Sequence, residues 1–330
     1  MNNPAPHGKP PDHGSITPMQ MVLVLVLSVL AYMLVQVIFF STAAMHVATD
    51  MVSDPGKIEQ MLSSPEELET LAERVIDLVA KGVAAWPWDL KLIFMLNQAV
   101  IILPVLLFLR TTRRDILGEL RIRPVPRNML LHGALAGVGL AVVGDELTRL
   151  IDLIVPIPEE IGEALRMLMT YDSGFDFLVI FATICLIAPL VEEMLFRGFI
   201  QRWTEGRIGV TNGVMLTSAL FAFVHGNKYF VIPILIMAVV IGAIAWRTES
   251  VWPSVALHGT NNLIGFVTAN VWEDDPGWYS LGDHVAPWWV LGAAILVVYS
   301  VREIFRSAEA SGMGGHGPGG DTGGRVDKTV

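Results

Sequence analysis

In the middle of the 330-residue chain, Glu192 and Glu193 are followed four residues later by Arg197, at the end of an apolar run that begins near Phe175. Ionisable groups at bilayer depth are costly, so they are rare and mark functional sites by default. On a helix, Glu193 and Arg197 share a face and can pair. Glu192 points about 100° away and is left to face something else. Two further clusters follow in later apolar runs, Phe221-x-x-x-His225 and His258-x-x-x-Asn262. The second presents an imidazole and an amide on one helical face, and in the first Phe221 lies one turn before His225 and can pack against its ring. A carboxylate, two imidazoles and an amide on three separate spans can meet only inside a bundle. A carboxylate takes a proton from water, with an imidazole to orient or share it. A second imidazole and an amide can hydrogen-bond a developing oxyanion. Such a set is hydrolytic without a Ser or Cys nucleophile. Two His and a Glu can equally ligate Zn²⁺, which lowers the pKa of bound water. His-Glu-x-x-His is absent, so that metal site would be dispersed, and the residues alone leave both chemistries open. Singly, each cluster has a plainer reading as helix–helix hydrogen bonding, and Glu193 with Arg197 as a structural ion pair.

The elements that must position these residues are membrane helices. Mean hydropathy is +0.54 and only 16% of residues are charged. Apolar runs of about 18–22 residues are long enough to span a bilayer. The spacing predicts an all-α, polytopic protein of about eight spans, with spans 4 to 7 as the catalytic core. Span 1 covers about Met19 to Ala44, after a polar N-terminal tail (1–18) that has no signal-peptide cleavage pattern. Within the N-terminal membrane region (19–174), Ser64-Pro65-Glu66-Glu67 reads as a capping box. It opens an amphipathic extramembrane helix near 64–84, in the outer segment 45–87. Trp86 and Trp88 read as an interface marker where span 2 begins. Span 3, from about Met129, carries Gly133, Gly137 and Ala141 at a spacing suited to close helix contact. Its second half holds Asp145, Glu146, Arg149 and Asp152, read as a helix emerging into water. The core is placed at 175–271, an acidic Trp-rich outer loop and last span at 272–306, and a Gly-rich disordered tail at 307–330.

Pro189, three residues before Glu192, is expected to kink or loosen span 4 where the site begins. His258 lies about 10 Å along span 7 and His225 about 22 Å along span 5 at 1.5 Å per residue. To meet, span 5 must start late, tilt strongly or begin off the membrane edge. The arginine cluster from Arg110 to Arg127 assigns that loop, and with it both termini, to the cytoplasm. The net charge of −10 argues against nucleic acid as a partner. The single Cys185 excludes an intrachain disulfide and a Cys-based zinc site.

The three motifs, Glu-Glu-x-x-x-Arg, Phe-x-x-x-His and His-x-x-x-Asn, in this order and on separate spans, resemble those of the CAAX protease and bacteriocin-processing (CPBP, or Abi) family of intramembrane proteases. That family includes CAAX prenyl proteases and proteins like lysostaphin resistance protein A. The resemblance covers about Asp176 to Asn270. It implies an intramembrane endopeptidase that cleaves a membrane-associated protein or peptide near the bilayer. Glu192 would be the general base, acting on water with His225. His258 and Asn262 would form the oxyanion site, with Glu193, Arg197 and Phe221 in support. It allows a glutamate-dependent mechanism without metal, the reading adopted here, and a zinc-dependent one with Glu192, His225 and His258 as ligands. The location expected is a bacterial plasma membrane. The rival classes are a transporter that uses the buried Glu and His residues to relay protons or ions, and an inactive scaffold.

Overall fold

The computed structural model describes residues 15–52, 58–272 and 276–313. It is all-α apart from one short hairpin. The first helix, α1 (Pro18–Met51), opens with a reciprocal cap. Thr17 Oγ1 accepts from the Gln20 amide, Gln20 Oε1 accepts from the Thr17 amide, and Pro18 stands at the first helical position. The amphipathic segment forms α2 (Pro65–Ala80), where Ser64 caps the Glu67 amide at 3.4 Å. Its buried residues, Leu71 and Val75, pack in one cluster with Phe39 and Val47 of α1. Trp86 fills the same cluster at 4% exposure, 5.0 Å from the Phe39 ring, whereas Trp88 is 68% exposed. Only Trp88 suits an interface marker, because Trp86 is spent on the core beneath α2.

Span 2 is broken into α3 (Trp88–Val100) and α4 (Leu103–Thr111), bent by 42° just before Pro104. Next comes α5 (Arg127–Asp152). A Cβ at Gly133 or Gly137 would lie 2.4 or 2.3 Å from a carbonyl oxygen of Pro253 or Leu257. The small-residue stripe thus lets α5 meet the helix that carries His258 backbone to backbone.

A single 35-residue helix, α6 (Gly174–Ile208), carries the first motif. It is followed by α7 (Val210–Val224), α8 (Val231–Thr248), α9 (Trp252–Val271) and α10 (Pro287–Ala310). All eight expected segments are helical. By length and apolar composition five of these helices can cross a membrane, or six if α3 and α4 count as one bent span. Of the other two, α7 is short, and α9 has the length but carries the polar residues His258, Thr260, Asn261 and Asn262. Between α9 and α10, β1 (Ser280–Leu281) pairs antiparallel with β2 (His284–Val285). This hairpin docks on the second half of α5. Glu146 accepts from the Val285 amide and pairs with His284, and Asp145 accepts from the Tyr279 hydroxyl. The acidic end of α5 is therefore occupied by the outer loop instead of emerging bare into water. Residues 273–275 of that loop and 1–14 of the N-terminal tail lie outside the described residues. The last helix runs to Ala310, past the expected start of the Gly-rich tail at 307, and 314–330 lie outside the described residues.

Cross-links between segments sort the helix ends into two sets. At one end, Trp203 Nε1 donates to the Ile16 carbonyl, Ser250 Oγ to the Arg123 carbonyl, and Arg247 to the Met313 carbonyl. At the other, His46 pairs with Asp89, Arg166 donates to the Ala269 and Trp272 carbonyls, and Glu146 holds the hairpin. By these cross-links, successive segments alternate in direction.

Candidate active site

The site begins with a missing hydrogen. Pro189 has no amide N–H to donate back along α6. Immediately before it, Phe181–Ile187 is wound as a π-helix, in which the Ala188 amide bonds to the Thr183 carbonyl five residues back. The expected loosening at Pro189 is therefore a local widening of the helix. Six residues of α-helix (Ala188–Glu193) carry the two carboxylates, and a second π-helical stretch (Met194–Ile200) carries Arg197.

Glu193 and Arg197 are both fully buried, with Glu193 Oε2 3.2 Å from Arg197 Nε. Arg197 also donates from Nη2 to the Ala238 carbonyl of α8, and its guanidinium lies 4.3 Å from the Phe221 ring centre. The other Glu193 oxygen, Oε1, is 2.9 Å from Nδ1 of His258. A carboxylate there keeps a proton on Nδ1 and fixes the ring. The free edge of that ring, Nε2, faces Glu192 Oε2 at 4.0 Å. This is too long for a hydrogen bond and leaves both atoms able to take a third group. Glu192 is 23% exposed, yet its Oε2 is buried and has no hydrogen-bond partner among the described residues. The sequence expectation that Glu193 pairs while Glu192 faces away matches this arrangement.

Phe221, completely buried on α7, is in ring contact with both histidines, 5.8 Å from His258 and 4.6 Å from His225. Its level explains how spans 5 and 7 meet. Gly213 packs against Glu205, and Glu205 meets Arg121 beside Glu249, so these residues mark one height. Phe221 lies ~12 Å above Gly213, and His258 ~10 Å above Val251, at 1.5 Å per residue. The start of α7 thus stands beyond the level where α9 begins. Phe221, instead of His225, is level with His258. His225 is exposed one turn further on, with Nδ1 2.7 Å from its own helix's Phe221 carbonyl. Nδ1 therefore carries the proton, and Nε2 is an open acceptor. Among the described residues, His225 forms no ion pair with Glu192. Asn262 donates from Nδ2 to the Ile184 carbonyl at 2.9 Å. The structure thus gathers Glu192, Glu193, Arg197, Phe221 and His258 tightly, and holds His225 and Asn262 at the margin on backbone carbonyls.

For a metal, the donor set does not fit. Among the described residues no three His, Cys, Asp or Glu side chains are gathered closely enough to hold an ion. Glu192, His225 and His258 do not form a ligand triad in this arrangement.

Two buried ion pairs that support the site were not identified from the sequence. Arg121, 1% exposed, bonds to Glu205 and Glu249 and donates to the Arg197 carbonyl of the second π stretch. By sequence it counts only as one of the loop charges that set topology. The alternation Leu120-Arg121-Ile122-Arg123 was the available hint that the loop has an inside. At the opposite end of α6, Lys91 pairs with Asp176, both buried. A lysine within an apolar run needs a partner, and Asp176 at the start of α6 supplies it.

The residues that build the site also carry the similarity to known proteins. Residues 174–264 match the family described as type II CAAX prenyl endopeptidase Rce1-like. No curated protein and no solved structure matches the chain. The match supports an intramembrane endopeptidase of the CAAX type in general. It contains all three motifs and the whole of α7 and α8, and it ends two residues after Asn262. Over this stretch the chain is thus similar to the type II CAAX prenyl endopeptidases, in keeping with the CAAX protease and bacteriocin-processing family.

Proposed function

We propose that the protein is an intramembrane endopeptidase in which Glu192 activates water. One observation carries this reading: Glu192 Oε2, buried and unpartnered among the described residues, stands 4.0 Å from Nε2 of a histidine whose other nitrogen is held by a second carboxylate. Buried acceptors are almost always satisfied, and one left open beside a fixed imidazole suits a group that takes a proton during reaction. In the proposed reaction Glu192 removes a proton from water, and the oxygen adds to the peptide carbonyl carbon. In its imidazolium form, with Nδ1 donating to Glu193, His258 donates from Nε2 to the oxyanion. Glu192 then hands its proton to the departing amide nitrogen, the C–N bond breaks, and an acid and an amine leave. His225, with Nε2 open, accepts a hydrogen bond from the water or the substrate beside Phe221.

A cleft of about 360 Å³ between α6 and α9, lined by Phe181, Cys185, Leu190, Trp252 and Gly259, offers an apolar approach from the side. The positive-inside rule favours a cytoplasmic location for the end with Arg123, Arg202, Arg207 and Arg247, and with it both termini. The substrate is then a membrane-proximal protein or peptide cut below that face.

The test is cleavage of quenched membrane-proximal peptides by purified protein in lipid, with Glu192→Ala and Glu192→Gln alongside. Both variants are expected to lose cleavage while keeping the wild-type unfolding midpoint. Equal cleavage by wild type and Glu192→Gln would overturn the reading.

A further inference from the structure

The shift of the backbone ladder at Phe181–Ile187 leaves two carbonyls to account for. In an α-helix the Ile184 carbonyl accepts from the Ala188 amide. Here that amide bonds to Thr183 instead. In the π-helical pattern the donor to Ile184 would be residue 189, which is proline and has no hydrogen. The Cys185 carbonyl, the partner residue 189 would have in an α-helix, is deprived by the same proline. Both oxygens face α9. Asn262 Nδ2 donates to Ile184 at 2.9 Å. Gly259 covers Cys185 so closely that a Cβ there would lie 2.7 Å from its oxygen. One residue before Gly259 and one turn before Asn262, His258 reaches Glu193.

We propose that Asn262 is a positioning residue. With Gly259 packed against the Cys185 carbonyl, it seals the Ile184 carbonyl that Pro189 leaves without a backbone donor, and so fixes the π turn that sets Glu192 and Glu193 against His258. A buried carbonyl cannot be left unpaired without cost, so the bond has reason to persist whatever Asn262 does during catalysis. The arrangement is reciprocal. Proline makes the opening, the asparagine closes it, and the closure aligns α6 with α9 over the one turn where the imidazole meets its carboxylate. The catalytic side of this inference rests on the endopeptidase reading, whereas the backbone side does not.

The test is a double-mutant cycle of Pro189→Ala with Asn262→Ala, read in two ways. The Pro189→Ala change restores an N–H that points back along the helix toward the Ile184 and Cys185 carbonyls. With Pro189 in place, Asn262→Ala is expected to lower the unfolding midpoint by several degrees, at roughly 2–4 °C per kcal/mol for a domain of this order of size. In the Pro189→Ala background the loss should fall below half of that. The kinetic readout is the fold-loss in kcat, with KM unchanged, caused by Asn262→Ala. It too should shrink in the Pro189→Ala background. An Asn262→Ala protein that fails to fold unless Pro189→Ala is also present would be the same result in stronger form. Equal losses in both backgrounds would overturn the proposal and leave Asn262 a direct ligand of the oxyanion. If no peptide is cleaved by wild type, the endopeptidase reading fails while the thermal cycle still decides the role of Asn262.

Discussion

Replacing Glu193 by glutamine tests whether the carboxylate at the centre of the site is a structural partner, a functional one, or both. Glu193 is fully buried and touches two cationic or cation-forming groups, Arg197 at 3.2 Å and His258 at 2.9 Å. Glutamine keeps the shape and an acceptor for His258. Among the described residues it removes the only carboxylate in direct contact with a guanidinium that is itself fully buried. Breaking a buried pair from one side costs about 3–5 kcal/mol, because the remaining charge stays desolvated. The Ala238 carbonyl and the Phe221 face soften that cost without cancelling the charge. At roughly 2–4 °C per kcal/mol, Glu193→Gln should lower the unfolding midpoint by about 6–20 °C. Removing both charges with apolar residues of similar volume, as in Glu193→Leu with Arg197→Met, should recover most of the loss, since replaced buried pairs are often neutral. The double variant should nevertheless cleave nothing, because His258 Nδ1 then has no acceptor and the ring no fixed orientation. Thermal unfolding in detergent or nanodiscs, beside peptide cleavage, reads both effects. A Glu193→Gln protein that melts within ~2 °C of wild type, or a double variant no more stable than the single, would refute the reasoning.

Three further outcomes are expected. Gly259→Ala puts a methyl group 2.7 Å from the Cys185 oxygen, so α9 must retreat and the His258–Glu193 bond lengthens. About 1–3 kcal/mol of stability and most of the cleavage should go together, and an unchanged midpoint would argue against the close approach. Arg121→Leu strands the buried Glu205 and should destabilise by about 3–5 kcal/mol. Adding Glu205→Gln should restore most of it, which chemical denaturation would show. His258→Ala should lower kcat by about 10²–10⁴. His225→Ala, whose ring is exposed and out of ion-pair contact with Glu192, should lower it less, and the reverse order in cleavage kinetics would count against the assignment of the oxyanion to His258.

The helical architecture was legible because apolar length leaves membrane chains few choices. The three motifs were legible because Glu, His and Asn within such runs need a reason to be there. Pro189 even announced where α6 would open. The sequence did not reveal what the opening would look like, since a kink and a π turn both follow from a missing N–H and only the packing of α9 decides between them. Nor did it show that Phe221 rather than His225 stands level with His258. That depends on how far α7 starts beyond the membrane edge, a tertiary quantity. Trp86 and Arg121 misled for a common reason: a tryptophan near a span end and an arginine in a basic loop carry the same local signal whether they face lipid headgroups or the protein interior.

The two π-helical stretches of α6 stand on either side of the six residues that hold the carboxylates. Each departure from the α-helix adds about one residue to a turn, which delays the angular phase of everything after it by about 100°. The first delay sets the azimuth of Glu192 and Glu193 independently of the face that α6 shows α3. The second delays it by as much again before Gln201 and Glu205 meet Gly242 and Arg121. A one-residue deletion within Phe181–Ile187 is thus a rotation as much as a shortening. It would leave the composition of the helix nearly intact while turning both carboxylates away from the imidazole.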